Sequence, residues 1–560
     1  METPHSTQPS SGSTYINKLL EEAKDQFKTS WPTLCALVLY RFPWLISLAF
    51  VGAIGSDELA AAALATTLCN VTGMSLSVGL SSALTTLTGQ ARGDLLERHK
   101  RQNQPTDPSQ TPLLKASNSP NASTQHRYES CRVPSGDDED FTSASPRNDF
   151  LLPMVFLYRG LFVQLLLVVP VGMWWLSGIH DVLESLGQNE TIATMTASYL
   201  KVLAPGLWAY SINWTITSWL QAIEMADVPA YAAGAGLALH IPFNYFFIYV
   251  LRWGYLGVAV ATTTSQLIQP LGTLIYLFGF SVGRSRVLQH TVASAVGRNC
   301  ISSGFRVDIK MGITSYAGMK TYLGLAIPGI ITISEWWASE IAIFLAGRLH
   351  PNPAVALGGM TLYQSINSFC FMFPLASSIA GSARVGKFLG ANEPERAGIA
   401  AKVSVYSAML VSGIIGCILY IVPHEFFPSL FTHDGPVVAE TSRTIPLLAT
   451  YVFADGLQVA LNGIIKGCGR QCVTMPIVIT AYWVFGVPVS YYLAFRVCGG
   501  EMSDDMFCGV VGLVSGLTLG TWLHMGMLAM VVIATTNWQA EAFKAKQRLV
   551  HADESRMDLT

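Results

Sequence analysis

The chain has 560 residues, of which 51% are hydrophobic and only 12% charged, with a formal net charge of −2 and a mean hydropathy of +0.40. A soluble domain carries about 25% charge, so a water-covered surface of this extent is excluded, and the near-balanced charge offers no global field for nucleic acid. The charges are also clumped: seventeen of the 70 lie between Arg92 and Asp149, which leaves the rest poorer still.

Met1–Lys28 is polar and lacks the apolar core of a signal peptide. Beyond it, apolar stretches such as Leu45–Ile54, Leu161–Trp175 and Met525–Ala534 recur along the chain. A bilayer core about 30 Å thick needs about 20 apolar helical residues, and in lipid the backbone must satisfy its own hydrogen bonds. The predicted fold is therefore an all-α polytopic membrane protein of about twelve transmembrane helices. The predicted spans are 33–54, 59–88, 151–176, 196–222, 228–250, 255–280, 321–347, 354–385, 402–423, 444–465, 474–496 and 508–536. Residues 1–32 form an N-terminal tail, 33–280 a first bundle, 281–320 a linker, 321–536 a second bundle and 537–560 a C-terminal tail. The segment 94–149, rich in Ser, Pro, Asn and charge, reads as a disordered insert. With the N-terminus inside, the inner segments hold 27 of the 34 basic residues and the outer ones five, so both termini are expected in the cytoplasm. Cys498 and Cys508 flank a short polar loop, where a disulfide and two free thiols are both open.

The two halves repeat each other. Ile241–Gly254 aligns with Val487–Gly500 without a gap, matching Pro242 to Pro488 and Tyr245 to Tyr491. Leu203–Tyr210 resembles Thr444–Tyr451, and Gly79–Ala83 resembles Pro374–Ser378, in the same order. Six spans fall in each half and equivalent spans run the same way. This is a parallel repeat, two pseudo-symmetric six-helix bundles of the kind that enclose a central cavity.

An ionisable group at mid-bilayer costs about 2.5–3.5 kcal/mol and is retained when paired or used. Three acids lie deep in predicted spans, all in the second half: Glu335, Glu340 and Asp455. They are candidates for cation or proton coupling, against the alternative of carboxyls bonded to backbone or hydroxyls at a helix break. Glu335 and Glu340 are five residues apart, about 140° around a helix, so one is expected to face the cavity and the other a neighbouring helix. Pro328-Gly329 precedes Glu335 by about two turns and forms either a hinge or a static kink. Arg41 sits several residues inside span one, where it either snorkels towards the headgroups or pairs with a polar group across a cavity. Asn70, Thr72, Asn213 and Gln364 are candidate cavity residues, with bonding of helix to helix as the other reading, and Trp337 is a further candidate, whose ring suits organic cations. Packing is the other reading for Trp336 and Trp337, and His240 and His524 read as satisfied packing residues. No phosphate-binding GxxxxGK[ST] loop or HExxH metal motif occurs, and the tails are too short for a catalytic domain. A non-enzymatic protein without cofactor or metal is expected.

ISEWWASE (Ile333–Glu340) after LAIPG (Leu325–Gly329) resembles the multidrug and toxic compound extrusion family, especially its eukaryotic branch. Asn70–Gly93, Ala383–Asn392 and Lys466–Gln471 are similar to other family segments. The resemblance implies a secondary antiporter of two six-helix bundles that exports organic, often cationic, compounds in exchange for protons or sodium; a proton-coupled, monomeric exporter in the plasma or vacuolar membrane is expected. Sodium coupling and a lipid or oligosaccharide flippase are the alternatives. Family motifs map onto Glu335, Glu340 and Asp455. Thr85 stands where many relatives carry an acid, and span one holds Arg41 and no carboxylate. The resemblance therefore places coupling in the second half.

Overall fold

Each run long enough to cross the hydrocarbon layer becomes helix, and the chain order is that of the repeat. A computed structural model of the chain describes residues 11–102, 152–185, 189–291, 309–310, 312–502 and 507–557. Span one is Ser11–Gly52; span two runs from Ser56–Cys69 through a π-turn, Asn70–Met74, into Ser75–Gln102. Spans three to six are Leu152–Ser177, Glu190–Ala222, Asp227–Val250 and Tyr255–Leu274. Spans seven to ten are Tyr316–Ala346, Pro353–Gly390, Pro394–Ile421 and Gly435–Cys468; Gln471–Val497 and Val510–Thr535 are spans eleven and twelve. Among the described residues, ten of these are long and apolar enough to cross a bilayer by length and composition. Spans four and six complete the twelve; their interior faces are rich in Ser, Thr, Asn and Gln.

The repeat extends to backbone conformation. A π-helical turn ends span five (Phe246–Val250) and another ends span eleven (Tyr492–Val497). Gly254 precedes span six at φ +58°, ψ −139°, and Gly509 precedes span twelve at φ +65°, ψ −141°. Positive φ at these turns favours glycine. The structural equivalent of Gly254 is thus Gly509, although the ungapped alignment pairs Gly254 with Gly500. The second half carries a longer loop, in which Cys498 and Cys508 are joined as a disulfide.

Span seven belongs to both bundles. Tyr322, Leu325 and Ala326 are buried in the core of the first bundle, and the Tyr322 hydroxyl donates to the Leu80 carbonyl at 3.0 Å. Ala338, Ala342 and Ala346 are buried in the core of the second. Pro328-Gly329 marks the changeover. Proline leaves the carbonyl of Gly324 without its helical donor, and the Cys472 thiol lies 3.6 Å from that oxygen. Gly329 packs directly on Ser82 and Gly79 of span two, and Gly79 packs on the Ile330 backbone. A methyl group at either glycine would overlap the other helix, so the two bundles meet here at backbone distance.

Four expected segments change. The insert is expected from residue 94, but span two stays helical to Gln102, held by Glu97–Lys546 (2.7 Å) and Lys100–Glu393 (3.1 Å); residues 103–151 lie outside the described residues. Residues 11–32 are not a separate tail but continue span one as helix. Gln26 donates to the Ala400 carbonyl at 2.8 Å, and Arg384 grips Glu22 at 2.6 Å. Residues 538–557 form a further helix, and within the linker Ser281–Thr291 is helical while 292–308 lie outside the described residues. Charge-rich sequence becomes ordered helix here because each segment has charged partners on a neighbouring span.

Both described ends of the chain lie on one face, which is shut by polar contacts between the bundles. Thr86 donates to the Lys466 carbonyl (2.7 Å) and Gln90 to that of Gly467 (3.0 Å). Arg548 of the C-terminal helix reaches Gln90 Oε1 at 2.9 Å and the Cys468 carbonyl at 2.8 Å. Glu224, in the turn between spans four and five, accepts from Arg92 of its own bundle (2.9 Å) and from Lys387 of the other (3.0 Å).

Candidate functional site

On the other side of this closure lies a cavity of about 350 Å³ between the bundles. Spans one, two, four, five and six supply one wall; spans seven, eight and ten supply the other. Arg41, Asn70, Asn213, Glu335, Trp337, Glu340, Gln364 and Asp455 all line it. Thr72 does not. It donates to Leu68 O at 2.6 Å and accepts from Trp175 Nε1 at 3.0 Å, so it ties span two to span three. Helical spacing sends Glu335 and Glu340 to different surroundings, yet both line the cavity. The opening is wide enough to take in Glu335, Trp336, Trp337, Ser339 and Glu340, well over a third of the helix circumference.

The acids sit in a connected polar array. Gln458 Nε2 donates to Asp455 Oδ1 at 2.9 Å and lies 3.5 Å from Glu335 Oε2, so one amide bridges two carboxyls on different spans. Asn462 donates to Gln458 Oε1 at 2.8 Å. Asp455, Gln458, Asn462 and Lys466 follow one another at three- and four-residue steps, one stripe of span ten. His524 of span twelve is fully buried, with Nδ1 3.4 Å from Glu335 Oε2. That is ion-pair distance without hydrogen-bond alignment, and neither ring nitrogen has a hydrogen-bond partner among the described residues. The Tyr482 ring packs edge-on against the imidazole at 5.6 Å.

The two histidines therefore differ. His240 is satisfied at both nitrogens, by Ser47 Oγ (3.0 Å) and Ser265 Oγ (2.9 Å), as its packing role predicts. His524 is not, and it joins the acid site. Sequence reasoning misses Gln458, although it lies one turn from Asp455, and assigns His524 to packing, because its partner Glu335 is on another span.

Across the cavity the lining is neutral or cationic. Asn213 Nδ2 donates to the Tyr40 hydroxyl at 3.1 Å and lies 3.4 Å from Gln269 Oε1. Arg41 donates to Ser368 Oγ of the opposite bundle at 3.2 Å, with its guanidinium 4.6 Å from the Trp44 ring centre. Trp337 Nε1 likewise crosses to Ser75 Oγ at 3.1 Å, and Trp336 meets Phe371 edge-on. Among the described residues, no group of three or more His, Cys, Asp or Glu side chains is arranged to hold a metal ion.

A two-bundle helical array around a polar, acid-bearing cavity defines an integral membrane transporter. The MatE family model matches residues 32–95, 147–246 and 329–492, more than half the chain, and the protein belongs to the MatE family. Among curated relatives in Arabidopsis thaliana, Protein DETOXIFICATION 14 is 27% identical over 511 residues, covering 90% of this chain and 87% of the relative. Protein DETOXIFICATION 13 is 28% identical over 529 residues, covering 93% and 90%. The crystal structure of the eukaryotic MATE transporter AtDTX14 superimposes with a TM-score of 0.73 at 24% identity, covering 95% of this chain and 99% of that one. The crystal structure of a mutant of the Vibrio cholerae MATE transporter VcmN gives 0.67 at 15% identity, covering 93% and 99%. The chain is a MATE-type efflux transporter, which moves small organic compounds across a membrane.

Proposed function

We propose that the protein is a proton-coupled antiporter that expels organic solutes by alternating access, with Glu335 and Asp455 carrying the coupling. The observation that supports this most is the Gln458 bridge: one amide joins two carboxyls at the cavity wall, at 2.9 and 3.5 Å, with His524 behind them at 3.4 Å. Two carboxylates so placed in an enclosed site compete for one balancing cation. A proton arriving from one side and a cationic group of the solute arriving from the other are mutually exclusive occupants. That exclusion is the requirement for exchange.

The face bearing both described ends is assigned to the cytoplasm. It carries most of the basic residues, and the Cys498–Cys508 disulfide lies on the opposite face, where an oxidising compartment would favour it. The structure then has its cytoplasmic side closed, and Pro328-Gly329, at the changeover of span seven, is the hinge about which the bundles rock.

The test is uptake of a fluorescent organic cation into proteoliposomes under an imposed proton or sodium gradient. The expected result is uptake driven by the proton gradient, with Glu335→Gln abolishing it while the protein inserts normally. Equal uptake by that variant, or uptake that answers only to sodium at fixed pH, overturns the reading.

A further inference from the structure

The chain carries four Asn-x-Ser/Thr triplets, at Asn70, Asn121, Asn189 and Asn213. This is the pattern to which oligosaccharide is transferred on the lumenal side of a secretory membrane. Three of the four are badly placed for it. Asn70 lines the cavity inside span two, and Asn213 is 6% exposed inside span four, so neither has room for a sugar. Asn121 lies outside the described residues, in the link between spans two and three, on the side of the termini.

Asn189 differs. It opens span four at the end far from Glu224, and Asn189, Glu190 and Thr191 are all exposed. Its Oδ1 accepts from the Thr191 N–H at 2.9 Å and caps the helix. That bond fixes which way round the amide lies, since only its oxygen accepts. Nδ2, the atom that a sugar would join, is the free end, and no described residue accepts from it. Span four also lifts the site clear of lipid. It has 33 residues, about 50 Å at 1.5 Å per residue, against about 30 Å of hydrocarbon. The surplus is at this end. The exposed residues of its first turns, Glu190, Thr191, Thr194 and Lys201, are polar, and the first large apolar side chain it exposes is Trp208. An exposed lysine on a span marks the headgroup level. Asn189 stands twelve residues before Lys201, about 18 Å farther out.

We propose that Asn189 is a site of N-glycosylation. The transfer forms a bond between Nδ2 and the anomeric carbon of an oligosaccharide. The bond from that carbon to a lipid-linked pyrophosphate donor breaks, Nδ2 gives up one proton, and the lipid pyrophosphate leaves. Glu190 in the middle position is permitted, since only proline there blocks the acceptor. The product is bulky and polar, and an exposed turn above the headgroups leaves room for it. The proposal rests on the orientation given above, with both described ends in the cytoplasm and the opposite face lumenal.

The full chain is expressed in yeast, and its electrophoretic mobility is compared before and after digestion with peptide N-glycosidase F. The wild type is expected to show one downward step, that of a single core oligosaccharide. Asn189→Asp keeps the capping oxygen and Thr191→Val keeps the side-chain shape, yet both should run at the digested position without treatment. Thr191→Ser and Asn121→Gln should behave as the wild type. A wild type without the step, a step that survives Asn189→Asp, or a step lost in Asn121→Gln overturns the proposal. Orientation is read separately, with a membrane-impermeant maleimide added to intact cells that carry Lys100→Cys in a background without free cysteines. Lys100 is exposed on the terminal face, so labelling is expected only after permeabilisation. No glycan with Lys100→Cys protected refutes the assignment to Asn189 and leaves the orientation standing. No glycan with Lys100→Cys labelled in intact cells refutes both.

Discussion

Glu224→Gln probes the closure of the terminal face, and its effect can be worked from the contacts. The carboxylate accepts from Arg92 Nη2 at 2.9 Å and from Lys387 Nζ at 3.0 and 3.2 Å, with Arg384 Nη1 at 3.5 Å. Its side chain is 16% exposed, and those of Arg92, Arg384 and Lys387 are 7%, 6% and 19% exposed. Breaking a buried ion pair by removing one partner costs about 3–5 kcal/mol. Part of that cost does not act on the conformational equilibrium, because Arg92 lies in the same bundle and stays paired when the bundles separate. The contacts that discriminate are those from Lys387 and Arg384, which cross the interface. Glutamine keeps an acceptor, so the closed state loses about one charged hydrogen bond, roughly 1.5–3 kcal/mol. That shifts the closed-to-open ratio about 10- to 150-fold. Spin labels at Lys100→Cys and Arg396→Cys, both exposed and on opposite sides of the Lys100–Glu393 bridge, report the opening by pulsed electron resonance in a background without free cysteines. The wild type should show one short distance, and Glu224→Gln a second, longer population, with Glu224→Asp close to wild type. An unchanged distribution in Glu224→Gln would refute a latch carried by this carboxylate.

Two further expectations concern ionisable groups. His524→Gln removes the imidazole beside Glu335 but keeps the polarity, and it should lower proton-driven uptake about tenfold or more and shift its pH profile, with folding intact by size exclusion; an identical profile would assign His524 to packing alone. At the terminal face, burial raises the Glu224 carboxyl, but Arg92, Lys387 and Arg384 outweigh it and hold the group far below its ordinary 4.5. Its stabilisation is complete above about that value and is lost only in strong acid, so the latch contributes no slope between about pH 5 and 8. His290 is held below its ordinary 6.5 by burial and then by Arg92. The unfolded chain therefore takes up a proton there before the folded one does, and stability falls as pH drops through about 6.5. Melting temperatures from pH 5.5 to 8 should show this decline, and His290→Gln should reduce it; a decline unaltered in that variant would exclude His290 as a source.

The sequence by itself determined where the helices run, because hydrocarbon thickness dictates the length of an apolar run and lipid forbids unpaired backbone. Depth within those runs also singled out Glu335, Glu340, Asp455 and Arg41, since a charge in oil stands out against its neighbours whatever it faces. The parallel repeat was legible in Pro242 and Pro488, although the equivalence of Gly254 with Gly509 emerges only from backbone dihedrals. Rotation and partnership were decided by tertiary structure alone. Thr72 and Asn70 are two residues apart, yet one ties span two to span three and the other lines the cavity. His240 and His524 look alike along the chain, and only the packing of twelve helices leaves the second unsatisfied beside Glu335. Arg92, Arg384 and Lys387 register in the sequence as charges that orient the chain in its membrane. That they converge on Glu224 depends on contacts between residues more than a hundred positions apart, and no local pattern of hydrophobicity or charge encodes a contact of that kind.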